Sequence, residues 1–281
     1  MKLCYQVATP DVAVSPSVTA YQGDLERSLA VVSELGYDGV EFMTVSPAEL
    51  NLEDIKALLE KYELCAGLIC TGEVFGQLGV SFTDPDESVR KKAVDRVIEI
   101  VDFAAELGAN INIGRVRGQY LDGVPREFTY GRAVDALRTV CDHAAPKGVN
   151  VALETVTIMQ TNFLNTVSEA VQMIKDVERE NCKVMMDLFR LNLEEKDIFE
   201  TIRKYISYTV HVHLADNNRQ FPGQCGFDFR KIASAFKEAG YDGLFSTEIY
   251  QIPDQNTAIR GTIKTLAPIF RDIYGRPEKG G

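Results

Sequence analysis

The chain has 281 residues, 45% of them apolar and 25% charged, and its 30 Lys plus Arg against 41 Asp plus Glu give a formal net charge of −11. This apolar content argues against disorder, and a surface this acidic argues against nucleic-acid binding through a broad basic face or docking on an anionic membrane. No apolar run approaches the ~20 residues that span a bilayer, and the opening Met1-Lys2-Leu3-Cys4-Tyr5 enters a strand-like run with no signal region, so the expected location is cytoplasmic.

Short runs rich in Val, Ile and Leu alternate with longer amphipathic, charged segments. In chain order the pattern predicts strand 2–7, helix 24–35, strand 38–43, helix 51–62, strand 65–71, helix 86–107, strand 110–114 and helix 129–145. It continues with strand 149–155, helix 164–177, strand 183–188, helix 195–205, strand 208–214, helix 228–239, strand 243–249 and helix 256–273. Several strands are apolar on both faces, as a parallel sheet covered by helices requires. Leu35-Gly36-Tyr37-Asp38-Gly39-Val40-Glu41-Phe42 is echoed by Ala239-Gly240-Tyr241-Asp242-Gly243-Leu244-Phe245-Ser246, and Leu107-Gly108 and Lys147-Gly148 are weaker copies. Each reads as a helix stopped by a left-handed Gly just before a strand.

Eight strand–helix units in a row predict a single α/β domain, a (β/α)₈ TIM barrel over 1–274, which takes ~250 residues. Residues 275–281 are expected to be a disordered tail. An open doubly wound sheet is the alternative, but no G-x-G-x-x-G follows the first strand. The six cysteines contain no C-x-x-C pair, and Cys4, Cys65, Cys70 and Cys182 lie in or beside apolar runs, where a thiol acts as a small hydrophobe.

In a closed barrel the reactive groups sit at the C-terminal strand ends. Four successive predicted strands carry an ionisable residue there, namely Glu154, Asp187, His213 and Glu248. Neighbouring strands lie ~4.8 Å apart, and three carboxylates that close would force one another to protonate. A divalent cation removes the conflict, and one nitrogen among oxygens suits Mn²⁺, Mg²⁺ or Co²⁺. Taken singly, a strand-end Glu is usually a cap or ion-pair partner and a buried His is usually hydrogen-bonded core. The fourfold recurrence favours metal. His211 faces the same side as His213 but lower, as a packed or supporting residue, and His143 in the preceding helix is expected to be structural.

Val151-Ala152-Leu153-Glu154, Met186-Asp187-Leu188-Phe189-Arg190-Leu191-Asn192, His211-Val212-His213-Leu214-Ala215-Asp216-Asn217-Asn218-Arg219, Pro222-Gly223-Gln224-Cys225-Gly226 and Ser246-Thr247-Glu248 resemble the sugar isomerase/epimerase family, the xylose-isomerase-like TIM barrels. The chain is most similar to the ketose 3-epimerases within it. Gly39-Val40-Glu41, Thr71-Gly72 and Gly114-Arg115-Val116-Arg117-Gly118 agree.

The resemblance implies Glu154, Asp187, His213 and Glu248 as ligands of Mn²⁺, with Glu154 and Glu248 also exchanging a proton next to a sugar carbonyl through an enediolate. It implies Arg219 as a contact to substrate hydroxyls, a small carbohydrate substrate, and a homodimer or homotetramer. The chain departs from the epimerase pattern at Gln160, where the family has Glu, and at Arg190, where it has His. Both positions are expected to face substrate. These departures keep open a lyase of the same superfamily: a dehydratase, or a subunit of a hetero-oligomer that cleaves C-glycosides of oxidised sugars. A DNA-repair endonuclease on this fold is disfavoured by three histidines and a charge of −11.

Overall fold

A computed structural model describes residues 1–275. Eight parallel strands close into a barrel in sequence order. They are β1 (Lys2–Ala8), β2 (Gly39–Met43), β3 (Cys65–Cys70), β4 (Asn110–Ile113), β5 (Val151–Glu154), β6 (Cys182–Asp187), β7 (Thr209–Leu214) and β8 (Leu244–Thr247). β1 pairs with β8 through Lys2↔Leu244 and Tyr5↔Thr247, which closes the ring. The expected fold is therefore the observed one.

The outer layer among the described residues consists of α1 (Leu25–Glu34), α2 (Leu52–Lys61), α3 (Gly72–Leu78), α4 (Glu87–Glu106), α5 (Arg126–Ala144), α6 (Val167–Val177), α7 (Leu188–Glu194), α8 (Ile198–Tyr205), α9 (Phe229–Glu238) and α10 (Gln255–Tyr274). Local chemistry sets many boundaries. Asp24, Asp86, Asp228 and Asp254 cap α1, α4, α9 and α10 by accepting from first-turn N–H groups, and Thr166 with Glu169 forms a capping box on α6. The four glycines read as helix stops, Gly36, Gly108, Gly148 and Gly240, all have positive φ.

Two features depart from expectation. The helix expected over 195–205 begins only at Ile198, because Asp197 caps α8 through the N–H groups of Phe199 and Glu200, and a separate short helix, α7, precedes it. α3 is an additional short helix directly after β3. Gly275 forms the left-handed cap of α10, and the rest of the expected tail lies outside the described residues.

The main core lies between barrel and helices, where Phe42, Ile69, Ile111, Val184, Val212 and Phe245 are fully buried against the helical layer. Leu68, Ala152 and Met185 form a separate small cluster. Ala152 and Met185 lie two residues before Glu154 and Asp187, so strand alternation turns all four inward, with the apolar pair below the carboxylates. This floor supports a polar barrel mouth.

Candidate metal centre and active site

Glu154 and Asp187 are the last residues of β5 and β6, His213 is the penultimate residue of β7, and Glu248 follows β8 directly. Asp187 and His213 are register partners. One donor atom from each of the four lies within 4.8 Å of the others, and all four side chains are buried. His213 Nδ1 is 3.4 Å from Glu248 Oε2 and 3.8 Å from both Glu154 Oε1 and Asp187 Oδ2.

The donor set fits a divalent ion. Glu154 Oε1, Asp187 Oδ2 and His213 Nδ1 are buried without any hydrogen-bond partner. Such groups are costly to leave unsatisfied, and here they share one small volume. Three carboxylates and one imidazole form an oxygen-rich set suited to Mn²⁺, Mg²⁺ or Co²⁺.

Supporting contacts fix these side chains. Glu41, fully buried on β2, accepts from His213 Nε2 at 2.8 and 3.0 Å, from His211 Nε2 at 3.1 Å and from Gln6 Nε2 at 2.7 Å. The carboxylate therefore holds a ring proton of His213 on Nε2 and turns Nδ1 toward the acidic trio. Burial lowers the ring's pKa, but Glu41, Asp187 and Glu248 outweigh it and raise it well above the ordinary value, and a bound cation would take the place of the Nδ1 proton. His211 also reaches Ser246 Oγ at 2.8 Å, which makes it a supporting residue below the site. His143 pairs with Asp102 at 2.7 Å in the helical layer. Asn112 Nδ2 donates to Glu154 Oε2 at 3.0 Å, and its own amide oxygen is held by Thr71 N–H at 2.8 Å. Gly114 clears space for the same carboxylate, since a Cβ there would stand 2.8 Å from Glu154 Oε2.

Two arginines complete the mouth. The guanidinium of Arg190 stands 3.0 Å from Glu154 Oε1, 3.2 Å from Asp187 Oδ2 and 3.6 Å from Glu248 Oε2, as ion-pair contacts and not aligned hydrogen bonds. Its Nη1 donates to the Thr155 carbonyl at 2.8 Å. Arg219 pairs with Glu248 and lies between the rings of Phe189 and Tyr250. Asp216 accepts from the N–H groups of Gly223, Cys225 and Phe227 and so organises the loop that carries Arg219.

A cavity of about 260 Å³ opens over this centre, lined by Glu154, Glu248, Gln160, Arg190, Arg219 and Tyr250 among others. Gln160 is exposed, on the loop after β5. Fully buried Arg117 fastens that loop by donating to the carbonyls of Phe163 and Leu164. All the residues read as site candidates therefore meet at one place. Glu41, Gln6 and Asn112 were missed as functional positions, although each is a polar residue within an otherwise apolar strand, and that is a readable signal.

The two facing glutamates have opposed acidities. Burial pushes the Glu154 carboxyl up, more than Arg190 offsets, and the negative Glu248 adds to the rise. Burial also acts on Glu248, but Arg219, His213 and Arg190 outweigh it and hold its carboxyl well below the ordinary range. Glu41 is likewise pulled down to about 2, because His213 and His211 outweigh its burial. Carboxylates with separated acidities are what an acid/base pair needs.

The chain belongs to the xylose isomerase-like TIM barrel family, whose model matches residues 29–269. It is 29% identical to the L-ribulose 3-epimerase of Mesorhizobium japonicum over 252 residues, covering 88% of this chain and 83% of the relative. It is 26% identical to the D-psicose 3-epimerase of Ruminiclostridium cellulolyticum, covering 92% and 88%. The apo crystal structure of 3-keto-D-glucoside 4-epimerase from E. coli superposes with a TM-score of 0.79 at 22% identity, over 96% of this chain and 98% of that one, a likeness of fold. The expected family is thus the observed one, and a metal-dependent epimerase or isomerase is consistent with these enzymes. No helix among the described residues is long and apolar enough to cross a membrane.

Proposed function

We propose that this protein is a sugar epimerase or isomerase that depends on a divalent ion, Mn²⁺ by preference, held by Glu154, Asp187, His213 and Glu248. The observation that carries the reading is the convergence of four buried donor groups at successive strand ends, three of them with an atom that no hydrogen bond satisfies, beneath a cavity lined by Glu154 and Glu248. The names of the relatives support a ketose as substrate. When bound, the ion supplies Lewis-acid polarisation of the sugar's carbonyl and neighbouring hydroxyl.

The chain's own residues do the rest. Glu248, kept ionised by Arg219, takes the proton from the carbon next to the carbonyl, and Glu154, whose burial favours its protonated form, delivers a proton to the enediolate from the other side. Asn112 and Gly114 fix the Glu154 carboxylate, and the Phe189–Arg219–Tyr250 stack walls the Glu248 side. Arg219 and Gln160 offer hydrogen bonds to substrate oxygens. The enzyme works in the cytoplasm as a homodimer or homotetramer, a state that light scattering measures.

The test is isotopic. Metal-stripped protein reconstituted with Mn²⁺ and incubated with ketoses in D₂O should place deuterium on the carbon next to the carbonyl. EDTA should abolish this exchange. Glu154→Gln and Glu248→Gln should each lower turnover by ~10²–10⁴-fold while part of the metal is retained. Full activity in EDTA would sink the proposal. Release of a leaving group detected by mass would replace it with the lyase reading, which the departure at Arg190 favours.

A further inference from the structure

Arg190 is only 5% exposed, yet it lines the cavity. Its backbone N–H donates to Asp187 Oδ1 at 3.2 Å and its Nη1 donates to Thr155 O at 2.8 Å, so the cation is fixed in place. Its Nε lies 3.2 Å from Asp187 Oδ2 as an ion-pair contact without an aligned hydrogen bond, and the Nε of Arg219 is likewise a buried donor with no hydrogen-bond partner.

The buried groups at the cavity floor are three carboxylates, Glu154, Asp187 and Glu248, and two guanidinium groups, Arg190 and Arg219. With a divalent ion bound, all three carboxylates ionised and His213 neutral as its ligand, these groups sum to one positive charge. Glu41 carries one negative charge below His213 and Arg117, held by backbone carbonyls, one positive charge, and Arg115 pairs with Glu73 at 3.2 Å. An uncompensated charge in a water-poor mouth is costly. A neutral sugar leaves it unbalanced in the ground state, whereas an anionic sugar neutralises it on binding.

We propose that the metal-loaded site takes a ketose carrying an anionic group, a carboxylate or a phosphate, and that Arg190 selects it. A guanidinium fork matches the paired oxygens of either group and stays charged at every working pH. The inference rests on the metal-dependent reading above and names its substrate class.

Titration calorimetry on the Mn²⁺-loaded protein tests it with a neutral 2-ketohexose, its 6-carboxylate and its 6-phosphate. One or both anions should bind roughly tenfold or more tightly than the neutral sugar, with affinity falling as salt rises. The arm that binds better identifies the group. The preference should shrink in metal-free protein, a measurement that needs no variant. Arg190→Gln should remove the preference, read as the ratio of anionic to neutral-sugar affinity within the same variant, and Arg190→Lys should restore part of it.

Equal binding of all three sugars, or a preference that survives Arg190→Gln, overturns the proposal. Metal-dependent deuterium exchange on a neutral ketose without anion preference overturns it and leaves the epimerase reading standing. Arg190-dependent anion binding with no exchange on any sugar does the reverse.

Discussion

Replacing Glu41 by Gln tests whether the residue that touches no candidate ligand atom nonetheless decides metal affinity. Both Glu41 oxygens lie against the Nε2 of His213, at 2.8 and 3.0 Å, while Gln6 donates to one oxygen and His211 to the other. An amide offers one acceptor and one donor. In either orientation its NH₂ confronts a group that was donating to Glu41, and His213 is affected both ways. The relaxed answer is to move the His213 proton to Nδ1, where it meets the acidic trio at 3.4–3.8 Å. That spends the lone pair a metal would use.

Loss of such an outer carboxylate typically weakens metal binding by ~10–100-fold, about 1.4–2.8 kcal/mol. The metal-free fold should suffer less than the loss of charge-assisted hydrogen bonds alone suggests (about 1.5–3 kcal/mol each), because the flipped proton finds carboxylate acceptors. Competition with a chelator, read from Co²⁺ absorption, gives the affinity, and thermal melts with and without metal separate the two effects. Metal affinity within twofold of wild type would refute the tautomer argument.

Asp187→Asn should weaken metal binding at least tenfold while moving the melting temperature of the metal-free protein by only a few degrees, since Asn caps α7 about as well as Asp does; metal analysis and thermal melts check it. Gly114→Ala should lower kcat more than it raises KM, because the added Cβ pushes on Glu154 Oε2, while global stability changes by about 1 kcal/mol or less; steady-state kinetics and urea melts check it. Asp11 accepts from Val45 N–H, Ser46 N–H and Thr44 Oγ1, and these hydrogen bonds outweigh its burial and lower its pKa. A folded-state pKa below the unfolded one means stability fully present above the ordinary carboxylate range and lost as pH falls through the folded value. Asp11→Asn should therefore flatten the acid limb of stability measured between pH 5 and 2.

The strand–helix order, the Gly stops and the acidic caps were legible because each is a local event, set by periodicity and a few side chain–backbone bonds. The four candidate ligands were legible for a related reason: alternation and closure oblige the ends of β5 to β8 to face a common centre. The break before α8 was also local, but Asp197 reads as a helix interior until its side chain is seen to cap the next turn. The rest was decided across the barrel. Glu41 lies 170 residues from His211 and 172 from His213, and nothing but closure of the sheet brings them into contact. Arg190 could be read as a substrate contact, but its seat among three carboxylates depends on β5, β6 and β8 meeting at one level. Sequence fixes which groups each strand end presents. Charge balance and ring tautomers are properties of groups a few ångströms apart, so the tertiary structure alone determines them.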